Sequence, residues 1–256
     1  RGRALSLVEI VALFGLGLAA GVVSTIAGGA SVLTTPALIF FGHSPIVASA
    51  TNFIALSPAT FAAVWIDRKR LTGVTRAHRA LCLVSFLGAL AGGLALVTTG
   101  EAMFRKLMPA LLGLATLLFW LAPYAQRFIA ARRGEAYPAA MMAAFGAAGG
   151  YSGYFGTGYG VILLALLRAA GVADYARANM LKNLIGCFTS AASILFFAGT
   201  TLVDWPTAGA MTLGNVAGGV AGARLARVLP GEAMRRGILI AGVLLTAALA
   251  QRFWFS

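Results

Sequence analysis

The sequence predicts an all-α polytopic membrane protein with two inverted-topology repeats. Its 256 residues are 60% hydrophobic and 11% charged, and too few polar side chains are available to cover a soluble domain. Apolar runs of membrane-spanning length recur along the whole chain. Two similar glycine-broken stretches, which begin near Ser24 and Ser152, lie about half a chain length apart. Broken helices at corresponding positions of two halves are typical of secondary transporters.

The apolar pattern predicts about 8–10 helical segments. Two of them, 31–42 and 159–171, are too short to cross a ~30 Å hydrocarbon core. We interpret these two as broken or re-entrant half-helices, which the membrane tolerates only where they face protein or a wet cavity. The complete set of predicted segments is 5–27, 31–42, 46–66, 77–98, 103–123, 138–156, 159–171, 175–199, 204–228 and 234–252.

The charges of the loops predict the orientation. Basic loops near residues 67–79, 127–133, 168–177 and 224–236 are expected in the cytoplasm, and the turns 42–45 and 199–206, which lack Lys and Arg, outside. The 99–106 loop is then external despite Arg105 and Lys106. This topology gives a first transmembrane repeat (1–123), a cytoplasmic linker (124–137) and an oppositely oriented second repeat (138–256).

Short matching patterns support a duplication. Glu101-Ala-Met-Phe-Arg105 resembles Glu232-Ala-Met-Arg-Arg236, and both stand at the start of the last helix of a half. The stripe Gly88-x-x-x-Gly92-Gly93 likewise matches Gly214-x-x-x-Gly218-Gly219. Small-residue stripes permit close helix packing, either inside the bundle or in a homodimer.

The glycine breaks are candidate binding elements. A half-helix that starts inside the membrane presents unpaired N–H groups and a partial positive charge, which suits an anion. Tightly packed helix kinks are the alternative interpretation. The candidate substrate-binding residues at the breaks are Gly28, Gly29 and Ser31 in the first, and Gly156, Thr157, Gly158 and Tyr159 in the second.

A polar helix face supplies the remaining candidates. Asn179, Lys182 and Asn183 share one face of the eighth segment, and the uncharged counterpart in the first half contains Thr51 and Asn52. A cation inside the membrane costs about 3 kcal/mol and usually faces an internal cavity. Lys182 therefore either attracts a small anionic substrate or extends to lipid headgroups.

Other functional classes are poorly supported. No enzyme motif or metal-ligand cluster is present, so we predict neither catalysis nor a cofactor nor a metal. The net charge of +13 reflects cytoplasmic loops rather than nucleic-acid binding. His43 and His78 fall in predicted loops, where we expect them to be solvated. Acidic residues are scarce within the membrane, and export of an anion down its own gradient would need no coupling ion.

The glycine motifs resemble those of the sulfite exporter TauE/SafE family. The matching residues are Gly28-Gly29, Pro36, Gly42 and Ala48-x-x-Thr51 in the first half, and Gly156-x-Gly158 and Ala176-x-x-Asn179 in the second. The resemblance implies export of sulfite or an organosulfonate such as sulfoacetate across the bacterial cytoplasmic membrane. An anion channel and a non-transporting membrane assembly protein remain alternatives.

Overall fold

The computed structural model describes residues 5–26, 29–68, 73–128, 137–225 and 231–255. Within these ranges every regular element is a helix, as the sequence predicts. The helices are α1 (Leu7–Ile26), α2 (Ser31–Phe40), α3 (Pro45–Asp67), α4 (Arg76–Phe128), α5 (Ala139–Tyr154), α6 (Tyr159–Ala169), α7 (Tyr175–Phe197), α8 (Trp205–Leu225) and α9 (Gly231–Trp254). The candidate Gly28 and most of the predicted linker 124–137 lie outside the described residues.

Helix α4 is two helices joined at one residue. Gly100 has left-handed φ (73°) with extended ψ (159°), a conformation that glycine adopts without steric cost. It separates a first arm, 76–99, from a second arm, 101–128. With α4 counted as two, the described helices match the predicted segments one for one.

The lengths of the helices fit a membrane protein. Helices α1, α3, α4, α7 and α9 are long and apolar enough to cross a membrane, whereas α2 and α6 are shorter apolar helices. Helix α8 has 21 residues but is less apolar, because glycine, threonine and asparagine interrupt it. The ten residues of α2 and eleven of α6 reach only about half of a hydrocarbon core, as expected for half-helices.

Local sequence fixes where the full-length helices begin. The Ser44 hydroxyl accepts a bond from the Val47 N–H, and Pro45 occupies the first helical position of α3. At the corresponding end of α7, the Asp174 carboxylate accepts a 2.8 Å bond from the Arg177 N–H. Both caps lie immediately after a half-helix, so each half-helix turns directly into a long polar-faced helix.

Glycine brings the backbones of α4 and α5 into contact. A Cβ at Gly88 would lie 2.1 Å from the Gly146 oxygen, and a Cβ at Gly153 would lie 1.9 Å from the Ala89 oxygen. The contacting residue numbers rise together along both helices, so the first arm of α4 runs parallel to α5. We call this contact the α4–α5 seam.

The same arrangement recurs between α1 and α8. A Cβ at Gly214 would lie 2.1 Å from the Phe14 oxygen, and a Cβ at Gly21 would lie 2.2 Å from the Asn215 oxygen. We call this parallel contact the α1–α8 seam. Both predicted glycine stripes therefore form helix contacts within the chain. They do not support the homodimer, which stays a prediction.

The helix contacts follow a twofold pattern between the halves. The contact between α1 and α8 corresponds to the contact between α5 and α4. In the same way, α3–α8 corresponds to α7–α4, α2–α3 to α6–α7, and α2–α9 to α6–α4. Helices α3 and α7 pack on each other, and so do α4 and α9. This pattern supports the predicted duplication.

Each end of the bundle is held together by polar contacts. We call the end that holds the turn between α2 and α3 the first face, and the opposite end the second face. At the first face, the Ser44 hydroxyl donates to Glu101 and the Trp254 indole donates to the Lys106 carbonyl. At the second face, His78 bonds Tyr137 across 3.0 Å. The loops predicted outside all lie at the first face, and the described parts of those predicted inside lie at the second.

Candidate functional site

The second break is formed by two left-handed glycines between α5 and α6. Gly156 has φ 71° and Gly158 has φ 80°, a region that disfavours side chains with a Cβ. A Cβ at Gly156 would also lie 2.3 Å from the Phe53 ring. The Tyr151 hydroxyl donates a 2.6 Å bond to the Thr157 carbonyl, which holds the non-helical backbone in place.

The first break separates α1 from α2 in a similar way. Gly29 is left-handed with φ 76°, and a Cβ there would approach the Phe119 ring to 3.0 Å. Ser31 opens α2 and is half-buried. Gly28 was predicted to belong to this site but lies outside the described residues.

The two breaks face the same helix. A Cβ placed on Gly158 would lie 3.4 Å from the Ala115 Cβ, and a Cβ placed on Gly29 would lie 3.0 Å from the Phe119 ring. Ala115 and Phe119 are one turn apart on the second arm of α4, a rise of about 6 Å. The structure therefore brings the N-terminal ends of both half-helices to one region near the middle of the second arm of α4.

Lys182 lies beside the second break. Its Cδ is 3.7 Å from a Cβ position at Gly160, in the first turn of α6. Among the described residues, no carboxylate pairs with its ammonium group. Asn179 and Asn183 flank it on α7 and are half-buried. The lysine stem thus contacts the first turn of the half-helix, and its predicted role in binding an anion is a proposal developed below.

The counterpart residues on α3 have separate contacts. Asn52 donates a 3.1 Å bond to the Thr35 hydroxyl in α2, so it lies against its own half-helix as Lys182 does. Thr51 instead accepts a 3.0 Å bond from the Asp204 N–H. The structure therefore joins Thr51 to the loop before α8 at the first face, away from the described contacts of Lys182.

Several buried polar atoms, of which those of Thr157 and Tyr159 belong to the second break, have no hydrogen-bond partner among the described residues. These atoms are the Thr157 hydroxyl, the Tyr159 hydroxyl, the Asn52 amide oxygen, the Ser49 hydroxyl and both amide atoms of Asn215. Buried polar groups are normally satisfied by protein or water. Such groups are therefore available to a ligand or to ordered water. Ser49 was missed as a candidate, although its spacing of three residues from Asn52 is a helical-face signal.

The prediction of solvated histidines is wrong. His78 is 1% exposed, because its ring accepts from the Thr75 N–H and contacts Tyr137. His43 is partly buried and lies 3.7 Å from the Asp204 carboxylate. Both histidines therefore connect helices at the two faces of the bundle.

Two cavities open on the first face. One of about 390 Å³ is lined by residues that include His43, Arg105 and Arg252, and a smaller one lies between Glu9 and Asp204. Neither is lined by Thr157, Lys182 or Asn52. Among the described residues, no group of three His, Cys, Asp or Glu could hold a metal ion.

The sequence matches a known family over most of its length. Residues 13–249 match the family described as sulfite exporter TauE/SafE. The chain belongs to this family. As a TauE/SafE member it is a membrane transporter rather than an enzyme, and its helices make it a multi-pass protein.

Two similar proteins align with nearly the whole chain. The probable membrane transporter protein YfcA of Escherichia coli K12 is 28% identical over 239 residues, 93% of this chain and 88% of that protein. A probable membrane transporter protein of Haemophilus influenzae is 28% identical over 247 residues, 95% of each chain. No solved structure matches the chain.

Proposed function

We propose that this TauE/SafE protein exports a small oxyanion, sulfite or an organosulfonate such as sulfoacetate, by alternating access. The observation that carries the proposal is the position of Lys182 at the first turn of α6. Its ammonium group and the partial positive charge of the half-helix act on the same small volume. An anion bound there would offset the cost of keeping a lysine, about 3 kcal/mol, within the membrane.

Hydroxyl and amide groups would complete the coordination of the oxyanion. The side chains of Thr157 and Tyr159 stand on either side of Gly158, and Asn52 retains an unpaired amide oxygen. The two hydroxyls can donate to an oxyanion, while the left-handed glycines let backbone N–H groups approach it closely. The site is thus suited to a compact, negatively charged group.

The distribution of charge supports an orientation of the protein in the membrane. Among the described residues, the second face contains nine arginines, which are Arg68, Arg76, Arg79, Arg127, Arg168, Arg177, Arg224, Arg235 and Arg236. The first face contains three cationic residues, Arg105, Lys106 and Arg252. By the positive-inside rule the second face would lie in the cytoplasm of a bacterium whose inner membrane holds the protein, and residues 124–137 would be a cytoplasmic tether between the repeats.

The glycine seams indicate which parts would move together. Backbone contact leaves no room for sliding within the α1–α8 and α4–α5 seams, so each seam is a rigid pair. Helix α3 packs on α8 and α7 packs on α4. The seams and these contacts define one body that contains α1, α3 and α8 and another that contains α4, α5 and α7. The two bodies would meet where α3 packs on α7 and where α9 packs on α4. Alternating access would arise from one body rocking against the other around these contacts.

Flux of labelled anion into proteoliposomes tests the function. We expect sulfite or sulfoacetate flux in the native protein, and at least a tenfold decrease for Lys182→Ala. Lys106→Ala is the matched control, because it removes the same charge from the first face, and its flux should stay within twofold of native. Equal flux in both variants would remove Lys182 from the site.

The same preparation separates the alternative functions. A carrier would show saturating flux and exchange stimulated by anion on the opposite side. Unitary currents with flux far above carrier rates would establish an anion channel instead. No flux of any tested anion by a monodisperse protein would contradict transport.

A further inference from the structure

The larger cavity of the first face is a second place where an anion can be held. It has a volume of about 390 Å³ and lies where the loop after α2 meets the second arm of α4 and the end of α9. Arg105 of α4 and Arg252 of α9 both line it, with Phe253 and Ile39 forming apolar wall. Its lining includes none of the residues at the two glycine breaks.

The two guanidinium groups of this cavity lack acidic partners among the described residues. The Arg105 Cζ lies 5.8 Å from the centre of the Phe253 ring, and the Arg252 Cζ lies 5.7 Å from that of Phe40 and 6.0 Å from that of Phe253. These cation–π contacts are not hydrogen bonds, so they do not occupy the N–H donors of either guanidinium group.

The nearby carboxylates contact groups other than the two arginines. One oxygen of Glu101 accepts a 3.0 Å bond from the Ser44 hydroxyl, while its other oxygen is buried without a partner, and Asp204 lies 3.7 Å from His43. Asp204 also accepts from the Thr207 N–H, which begins α8. Two arginines thus converge on one cavity without a carboxylate between them, on the face where the positive-inside rule disfavours them.

We propose that Arg105 and Arg252 form an external binding site for an organosulfonate. The inference rests on the proposed function, since it takes the exported substrate class as its ligand. Two guanidinium groups suit the three oxygens of a sulfonate, because each can donate two parallel hydrogen bonds. The substrate would occupy this site after leaving the region of Lys182 and before release outside.

The size and apolar wall of the cavity favour an organic anion over a bare inorganic one. Small-molecule sites typically enclose about 300–1,000 Å³, and this cavity falls within that range. Phe253 and Ile39 provide surface for a short carbon chain beside the charged group. A compact ion such as sulfite would fill a small part of the space and would bind with retained water.

Equilibrium binding of labelled sulfoacetate to the purified full-length protein tests this site. The Lys182→Gln variant removes the central charge, so the binding that remains reports the cavity of the first face. In that background we expect Arg105→Gln and Arg252→Gln each to weaken binding about tenfold or more. Lys106→Gln is the matched control, since Lys106 adjoins Arg105, lies on the same face and does not line the cavity; binding should change by less than twofold.

Two results would overturn the proposal. One is the absence of sulfoacetate binding in the Lys182→Gln protein, and the other is equal binding in the Arg105→Gln and Lys106→Gln proteins. A protein that binds sulfoacetate through both arginines but transports nothing would refute the proposed export and leave the external site standing. The two failures are therefore distinguishable.

A labelling experiment gives an independent measurement that does not require loss of an arginine. Phe253→Cys, in the Lys182→Gln background, places a thiol in the cavity wall, while the native Cys82 and Cys187 are buried. Sulfoacetate should slow modification of this thiol by an impermeant anionic methanethiosulfonate at least threefold. Unchanged labelling at saturating sulfoacetate would contradict occupancy of the cavity.

Discussion

Replacement of Gly153 by alanine tests the α4–α5 seam. The new Cβ would lie 1.9 Å from the Ala89 oxygen and 2.9 Å from its Cα. Contacts of a real Cβ essentially never fall below 3.0 Å, and neither neighbour is a side-chain atom that could rotate away. The two helices would therefore have to separate by about 1 Å, which forfeits a quarter to a half of each dispersion contact across the gap.

The expected loss of stability follows from two opposing effects. Overpacking of a close interface costs about 1–3 kcal/mol, and we expect the upper end because main-chain atoms oppose the Cβ. Alanine recovers about 1 kcal/mol through its higher helix propensity, which leaves a net loss of roughly 2 kcal/mol. Gly21→Ala in the α1–α8 seam should lose a similar amount, since its Cβ would lie 2.2 Å from the Asn215 oxygen.

Gly15→Ala is the matched control for both variants. Gly15 lies on α1, as Gly21 does, but nothing is found within 4 Å of its Cβ position, so it should gain up to about 1 kcal/mol. Reversible unfolding in mixed detergent micelles, followed by circular dichroism, measures the three variants against the native protein. If Gly153→Ala and Gly21→Ala were as stable as Gly15→Ala, the close seams and the symmetry between them would be refuted.

Two further substitutions test the second break and the second face. Gly156→Ala combines backbone strain at positive φ with a 2.3 Å approach to Phe53, so vesicle flux should fall at least tenfold. Gly100 has a similar φ but an extended ψ, and nothing lies within 4 Å of its Cβ position. Gly100→Ala should therefore cost about 1–3 kcal/mol of backbone strain and keep its flux, and equal losses of flux in the two variants would contradict a special role for the break. His78→Phe keeps a ring but removes the bonds to the Thr75 main chain and to Tyr137, so it should lower the free energy of unfolding by about 2 kcal/mol. Tyr137→Phe removes one bond and should lower the free energy of unfolding by about 1 kcal/mol. An unchanged free energy of unfolding in both variants would contradict the polar contact.

The fold could be predicted closely because the membrane restricts the choices. Backbone groups in hydrocarbon must bond within helices, so apolar length alone gave the number and order of the helices. The break at Gly100 shows where this reasoning stopped. A loop at 99–106 was expected from Arg105 and Lys106, but one left-handed glycine is sufficient to redirect the chain, and both residues lie within the second arm of α4.

The candidate site was less predictable, because side-chain direction depends on tertiary packing. Thr51 and Asn52 are adjacent in sequence, yet Thr51 accepts from Asp204 and Asn52 donates to Thr35. Adjacent positions on a helix point about 100° apart, so one helix turn can serve two neighbours. The contact of Lys182 with the first turn of α6 likewise depends on where the half-helix lies and could not follow from the spacing of Lys182 to Asn179.

The histidines show a second limit of sequence reasoning. His78 stands next to a basic loop, and charge alone suggested that it faces water. Its burial depends on Tyr137, which comes from a distant part of the chain. The signal that was present is the spacing of three residues between Thr75 and His78, which is typical of a side chain that caps the start of its own helix.

The parallel α1–α8 seam has a consequence for biogenesis. Helix α5 follows α4 directly in the chain, so the α4–α5 seam can close as soon as α5 has entered the membrane. Helix α1 must wait, because its partner α8 is encoded about 190 residues later. At roughly 5–20 residues per second, this delay amounts to about 10–40 s, during which the glycine face of α1 is open to lipid or to insertion factors. Helix α1 is therefore made before the other described helices and is among the last of them to contact its native neighbour.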